Sequence, residues 1–319
     1  MNPRVLITGA AGFISGHLVD RFKSSGWEAV GLTRTQSKHE LWHDLANPLP
    51  IQEEFDVVIH AAARSNPWGS KKQYLADNVT ATQNVIDYCH RNGSPKLIYL
   101  SSSSVYYLDD HQLNMNEETP LPEKFVNQYA ATKRAGELLI EQYQGQWSIL
   151  RPRAVFGPGD TVLLPRILQA ARKGKLPLLT CPDGPVIGDL IYISNLVDCI
   201  EKVATDTSVS GTINLTNDEP VPIHEFLFDV FDQLEIERPR KKVSTTTAMR
   251  VAGGLELFHR IFLPRIEPAI TKFGVHVFRY SKTFDVTKMK QLLGPPKVNL
   301  KEAKRLTVDW FRQSLSESP

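Results

Sequence analysis

Cysteine is scarce in this chain: Cys89, Cys181 and Cys199 are the only three among 319 residues, and they are far apart, without metal-ligand spacing. That usage excludes a disulfide scaffold and predicts reduced thiols in a reducing, cytoplasmic setting. No apolar run reaches the roughly eighteen residues that a membrane span needs. The nearest approach, residues 252–266, is interrupted by His259, Arg260 and Arg265. It reads as an amphipathic helix packed on its own domain, with weak peripheral membrane contact as the alternative. Blocks of like charge are missing as well, and 37 Lys and Arg against 35 Asp and Glu leave a net charge of +2. A nucleic-acid partner is therefore not expected. The nine histidines show no ligand spacing, so no metal site is expected. A strand-like Arg4 to Thr8 runs into Gly9 where a signal peptide would place its apolar region, so the fold is expected to begin at the N-terminus.

Hydrophobic residues at 41% and charged residues at 23% are ordinary globular usage, and the length suits two domains or one large α/β unit. Apolar spacing predicts strands at Arg4–Thr8, Glu28–Thr33, Asp56–Ile59, Lys96–Leu100 and Trp147–Leu150. Helices are predicted between them at His17–Lys23, Lys71–Arg91 and Asn127–Gln144. Strands alternating with helices imply an α/β doubly wound parallel sheet, a Rossmann fold, with ligands at the carboxyl ends of the strands. Beyond residue 157, Pro and Gly punctuate shorter elements, with helices around Leu163–Lys173 and Ile223–Leu234. Leu190–Leu196 and Thr212–Leu215 read as strands returning to the sheet. The division expected is residues 1–158 with 189–216 for the dinucleotide-binding domain. Residues 159–188 and 217–319 then form a smaller, discontinuous substrate domain.

Gly9, Ala11, Gly12, Phe13 and Ile14 fall between the first strand and first helix, where backbone N–H groups and the helix dipole can meet a dinucleotide pyrophosphate. Ser15 and Gly16 stand where a third glycine is usual. The second strand ends in Thr33-Arg34, where an NAD site places a carboxylate for the ribose hydroxyls. Arg34 and Lys38 can receive a 2′-phosphate instead, which favours NADP(H) over NAD(H). The plain alternative is that both are solvated loop charges.

Tyr129 and Lys133 stand four residues apart, on one face of the third predicted helix. An ammonium beside a phenol favours phenolate and suits the tyrosine to proton transfer. The serine run Ser101 to Ser104 follows a strand and brings hydroxyl donors to the same region; its alternative role is a polar turn.

Together these features resemble the extended short-chain dehydrogenase/reductase superfamily. The matching landmarks are Thr8-Gly9-x-x-Gly12, His60 to Ala63, Asn78, the serines before Val105-Tyr106, and Tyr129-x-x-x-Lys133. Leu150-Arg151-Pro152, Gly157-Pro158-Gly159-Asp160 and Trp310-Phe311 extend the likeness along the chain. The resemblance implies Tyr129 as proton donor, Lys133 on the nicotinamide ribose, and Ser102 on the carbonyl oxygen, with Ser103 as the fallback. It further implies Asp44 and Leu45 against the adenine, Ala61, Ala62 and Ala63 along the cofactor, Asn78 supporting the site and Pro152 opening the loop over the nicotinamide. Arg153-Ala154-Val155 and Ile187-Gly188-Asp189 stand where sugar-nucleotide enzymes usually carry an Asn and an Arg. The chain is accordingly more similar to the 3-beta-hydroxysteroid dehydrogenase branch.

The expectation is an NADP(H)-dependent oxidoreductase acting on a hydrophobic ketone or secondary alcohol: steroid-like, long-chain 3-keto acid or flavonoid-like. Leu255 to Phe262 and Trp68 are expected to wall its pocket. Arg151 and Arg153 are left as ion-pair candidates, and a homodimer is implied by resemblance. The alternatives are a nucleotide-sugar epimerase or dehydratase, and a non-catalytic NADP(H)-sensing protein.

Overall fold

Val5, Leu6 and Ile7 are wholly buried in the first strand, because both faces of a parallel sheet are covered by helices. The computed structural model describes residues 2–34, 41–66 and 68–316. The chain begins β1 (Arg4–Thr8), α1 (Phe13–Ser24), β2 (Glu28–Thr33), β3 (Leu41–Trp42) and β4 (Val57–His60). It continues through α2 (Lys71–Tyr74), a π-helical stretch (Leu75–Thr80), α3 (Ala81–Arg91) and β5 (Lys96–Leu100). A 3-10 turn (Ser103–Tyr106) leads to β6 (Gln112–Met115), α4 (Gln128–Ile140), β7 (Trp147–Pro152), β8 (Val155–Phe156) and α5 (Leu164–Arg172). Then come β9 (Leu178–Thr180), β10 (Ile187–Gly188), β11 (Ile191–Tyr192), α6 (Ile193–Thr205), β12 (Gly211–Leu215), β13 (Val221–Pro222) and α7 (Ile223–Gln233). The chain closes with β14 (Lys242–Ser244), α8 (Thr245–Phe262), α9 (Lys272–His276), β15 (Lys282–Phe284), α10 (Thr287–Leu293) and α11 (Leu300–Ser316).

Seven parallel strands form the main sheet in the order β12-β7-β5-β4-β1-β2-β3, as the strand–helix alternation predicts. β1 sits between β2 and β4, so the connections leave it in opposite directions and open a crevice at its carboxyl end. Alternate strand residues feed opposite cores. Val5 and Ile7 pack with Leu18 and Phe22 of α1, whereas Leu6 and Val58 pack with Val85 of α3 and Ile140 of α4. The rest of the chain forms small sheets, one of them β13-β10-β15-β6, against this body.

The helix expected over Lys71–Arg91 is continuous, but its middle turn is π-helical. Two expectations are corrected. Leu190–Leu196 is not a strand of the main sheet: only Ile191 and Tyr192 are extended, and they pair with β8. From Ile193 the chain is helical, because Ile193, Leu196, Val197 and Ile200 recur at helical spacing and are buried together. Thr212–Leu215 does join the sheet, within β12 beside β7.

The second correction concerns α8. Most of the large apolar side chains in its second half do not pack on their own domain. Thr245, Ala248 and Ala252 occupy the inward positions, so Leu257, Phe258, Ile261 and Phe262 fall on the outer side and are exposed. No helix among the described residues is long and apolar enough to cross a membrane.

Candidate active site

A cavity of about 1040 Å³ opens at the carboxyl ends of the central strands. At its head lies the turn after β1, where Gly9 and Ala10 donate from their backbones to Leu32 O and Gly12 donates to Gly9 O. Gly9 has φ of +76°, and a Cβ there would stand 2.9 Å from Ala62 Cα, so the approach of the two loops requires glycine. α1 starts at Gly12 with no side-chain cap and no acid in its first turn. That leaves its N–H groups for an anion. Ser15, in place of a third glycine, fits by turning its hydroxyl onto Thr8 O at 3.2 Å. The uncapped helix, the glycine cradle and the elongated cavity fit a dinucleotide. Ala11, Phe13 and Ile14 line the same end, joined by Asp44 and Leu45 on one side and Ala61 to Ala63 on the other.

The alanine loop is fixed from below. Thr8 Oγ1 accepts from Ala61 N at 3.2 Å and from Ala62 N at 3.1 Å, and it pairs with His60 Nδ1 at 2.8 Å. His60 is fully buried, and desolvation drops its imidazole to about 3, so it is a neutral structural partner.

Ser102, Ser103, Tyr129, Lys133 and Pro152 meet on the floor of the cavity. Asn127 begins α4 by accepting from Ala130 N at 2.8 Å, which sets the helix so that Tyr129 and Lys133 face the serine turn. Burial raises the Tyr129 phenol above its ordinary value, and the neighbouring Ser102 hydroxyl opposes that shift without cancelling it. Lys133 is buried and donates through Nζ to Leu100 O at 2.7 Å, and desolvation lowers its ammonium to about 7. The expectation that Lys133 favours the Tyr129 phenolate is therefore not met by the protein alone, because the ammonium is turned to a backbone carbonyl. Ser103 is occupied differently, with its hydroxyl 3.2 Å from the Tyr107 phenol. The Ser102 hydroxyl accepts from Ser104 N at 3.2 Å and from Ser104 Oγ at 3.0 Å, which leaves its own proton to donate.

Thr33 and Arg34 reach the cavity at the end of β2. The Arg34 side chain is exposed, and its Nη1 donates to Asp77 Oδ1 at 3.2 Å, while Arg64 Nε takes Asp77 Oδ2 at 2.7 Å. Lys38 lies outside the described residues. Asn78 stands behind the cavity in the π-helical stretch: Oδ1 accepts from Arg64 N at 2.7 Å and Nδ2 donates to Thr132 Oγ1 at 2.9 Å.

The expected pocket wall is corrected too. Neither Trp68 nor Leu255 to Phe262 lines the cavity. Trp68 packs beside α8, donating from its indole N–H to Pro264 O at 3.0 Å. The apolar part of the cavity is built from the elements around α5, α7 and the segment after α8, through Leu163, Ile167, Leu227, Phe231, Ile270, Phe273 and Phe278. Apolar spacing marked Leu255 to Phe262 as a packing face but carried no sign of which way it turned. Sequence reasoning also passed over Tyr107, whose ring lies under the Arg153 guanidinium at 5.2 Å. Arg151 is an ion-pair residue, sending Nε and Nη2 to the buried Glu137 at 2.8 and 2.7 Å. Arg153 makes no such pair among the described residues, though its charge acts on the buried Asp189 carboxylate and opposes the rise that burial causes there.

Comparison with known proteins supports this architecture. Over its length the chain is similar to a solved UDP-glucuronic acid 4-epimerase from Bacillus cereus in complex with NAD, with 20% identity and a TM-score of 0.74. The two match over 98% of this chain and 99% of that one. Sequence relatives include the 3beta-hydroxysteroid-dehydrogenase/decarboxylase isoforms 1 and 2 of Arabidopsis thaliana, 33% and 36% identical over 84% and 80% of this chain. The chain spans 65% and 48% of those two proteins. A 2-alkyl-3-oxoalkanoate reductase of Shewanella oneidensis is 29% identical, over 90% of this chain and 81% of that protein. The family model for the NAD dependent epimerase/dehydratase family matches residues 5–215, taking in the glycine turn, the serine turn and the Tyr129–Lys133 helix. With its parallel sheet and the cavity at its switch point, the chain belongs to that family, among the extended short-chain dehydrogenase/reductases.

Proposed function

We propose that this chain is an NADP(H)-dependent oxidoreductase that interconverts a ketone and a secondary alcohol on a hydrophobic substrate. The observation that carries the reading is the convergence of Ser102, Tyr129 and Lys133 on one cavity whose remaining lining is largely apolar. Gly9, Gly12 and the start of α1 would hold the pyrophosphate, Asp44, Leu45 and the 61–63 loop the adenosine half, and Arg34 a 2′-phosphate. When bound, the nicotinamide supplies or accepts the hydride. Ser102 donates to the substrate oxygen and positions it at the Tyr129 hydroxyl. Held neutral by burial, Tyr129 gives its proton to that oxygen in reduction and takes one from the alcohol in oxidation. Lys133 lies one helical turn away and would hold the nicotinamide ribose.

In this reading residues 1–158 and 189–216 carry the cofactor, and 159–188 with 217–319 carry the substrate. The names of the Arabidopsis and Shewanella relatives support a sterol-like or long-chain oxo substrate. The three free cysteines support a reducing compartment such as the cytoplasm. A homodimer is carried over from the family resemblance, and sedimentation equilibrium reads it directly.

The test is consumption of NADPH, with NADH in parallel, against a steroid ketone, a long-chain 3-keto acid, a flavonoid ketone and a nucleotide keto-sugar. Turnover of an apolar ketone with NADPH preferred bears the proposal out. Turnover confined to the nucleotide sugar contradicts it in favour of an epimerase or dehydratase.

A further inference from the structure

Asp77 is shared by two arginines at the edge of the cavity, with Oδ1 accepting from Arg34 Nη1 at 3.2 Å and Oδ2 from Arg64 Nε at 2.7 Å. The other acids of the lining among the described residues are engaged elsewhere. Glu267 accepts from Arg166 Nη1 at 2.9 Å, and Asp44 closes a local turn by accepting from Ala46 N at 3.1 Å. The three members of the bridge come from different places in the fold. Arg34 directly follows β2, Arg64 lies beyond the end of β4, and Asp77 belongs to the π-helical stretch, a wider turn of the kind that recurs at functional positions.

β1 stands between β2 and β4 in the sheet, so the bridge runs from one flank of the glycine turn to the other. The turn touches both flanks: Gly9 N and Ala10 N donate to Leu32 O of β2, and Gly9 lies against Ala62 beyond β4. A dinucleotide held by that turn would therefore meet the bridge.

The two halves of the bridge are unequal. On the Arg64 side the contact is short, and the paired side chains are only 23% and 15% exposed. The Arg64 backbone is also clamped by Asn78, whose Oδ1 accepts from its N at 2.7 Å and whose Nδ2 donates to its O at 3.4 Å. On the other side the contact is long, and the Arg34 side chain is 63% exposed. The Arg34 backbone is held, because its carbonyl accepts from Trp42 Nε1 at 2.9 Å, which leaves the side chain as the part that can turn. An exposed ion pair of this kind shifts an equilibrium by only a few-fold, whereas a phosphate accepts two parallel bonds from a guanidinium fork. Arg34 is thus the half that exchanges, and Arg64 is the half that keeps Asp77 in place.

We infer that Asp77 is a resident anion that competes with the 2′-phosphate of NADP(H) for Arg34, and so sets how strongly the protein prefers the phosphorylated cofactor. With NAD(H), which has no phosphate at that position, Arg34 gains nothing by leaving and the bridge stays closed. With NADP(H), the Arg34–Asp77 contact must be given up, and a second negative charge comes to lie near the carboxylate. Both effects weaken the binding of the phosphorylated cofactor relative to a protein in which Arg34 is free. Asp77 acts on the cofactor through Arg34, not by holding it. This inference rests on the NADP(H) reading above and names the residue that tunes it.

The experiment measures Kd for NADPH and NADH by fluorescence titration in the wild type, Asp77→Asn, Arg34→Ala and the double variant. Asp77→Asn should bind NADPH about 3- to 5-fold more tightly than the wild type, with NADH changed by less than about 2-fold. In the Arg34→Ala background the same substitution should change NADPH binding by less than about 2-fold, because the exchange runs through Arg34. Should Asp77→Asn fail to fold, Asp77→Ser, which keeps an acceptor for Arg64 without the charge, is read in the same way.

The sign of the effect decides. Weaker binding of NADPH by Asp77→Asn overturns the inference, since Asp77 would then be holding Arg34 ready for the phosphate. Equal tightening of NADPH and NADH overturns it too, as does an effect that persists without Arg34. If the wild type prefers NADH but Asp77→Asn still tightens NADPH alone, the competition is upheld and the NADP(H) preference is contradicted. If the wild type binds neither dinucleotide, the oxidoreductase reading fails and the inference fails with it.

Discussion

Asn78 donates through Nδ2 to Thr132 Oγ1 at 2.9 Å, which ties the π-helical stretch between α2 and α3 to the helix carrying Tyr129 and Lys133. Its Oδ1 simultaneously accepts from Arg64 N at 2.7 Å, fixing the loop after β4. Asn78 is thus a positioning residue that holds the two walls of the site at one spacing. Asn78→Ala leaves a buried N–H without its acceptor and is expected to cost about 1–3 kcal/mol in urea unfolding. The same variant should lower kcat more than it raises KM for the ketone. Unchanged stability together with unchanged kcat contradicts the role.

The end of β2 allows a direct test of cofactor choice. Arg34 is exposed and, among the described residues, its side chain is tied to Asp77, a contact it can surrender to a phosphate. Arg34→Ala is expected to raise KM for NADPH by about 10- to 100-fold, with KM for NADH changed by no more than about 3-fold. Steady-state kinetics with both cofactors reads this, and an equal effect on the two argues that Arg34 serves only the loop.

Lys133 makes stability depend on pH in a defined sense. Burial lowers its folded pKa to about 7 from 10.5, so between those values the unfolded chain binds more protons than the folded one. Stability then rises with pH across that window, at up to about 1.4 kcal/mol per unit for a single group. The penalty for burying the ammonium is fully present below pH 7 and fades toward 10.5. Relative to Lys133→Met, the wild type should gain about 2 kcal/mol between pH 7.5 and 9 in urea unfolding. Parallel pH profiles for the two proteins contradict a buried, lowered lysine.

What could be read in advance was local. The glycine turn, the serine run and the four-residue spacing of Tyr129 and Lys133 each lie within one stretch of chain, and all of them reach the cavity. Leu190 to Leu196 was misread because an apolar, β-branched run looks the same on a strand as at the start of a buried helix. α8 was misplaced for a related reason: spacing defines an apolar stripe, but the small Ala248 and Ala252 decide which side of the helix faces the body. Arg153 is the clearest case of information that no short motif carries. Arg151 and Arg153 are near neighbours in the chain, and only the placement of Glu137 on α4 and of Tyr107 after β5 makes one an ion-pair residue and lays the other over an aromatic ring.

The central claim is that the Tyr129 phenol carries the proton. Its most direct test is Tyr129→Phe, with NADPH affinity measured by fluorescence titration and ketone reduction measured on the same sample. The account predicts a fall in kcat of about 10² to 10⁴, with the Kd for NADPH within about 3-fold of wild type, since the phenyl ring keeps the packing and loses only the acid. Retained turnover at near wild-type rate would contradict it.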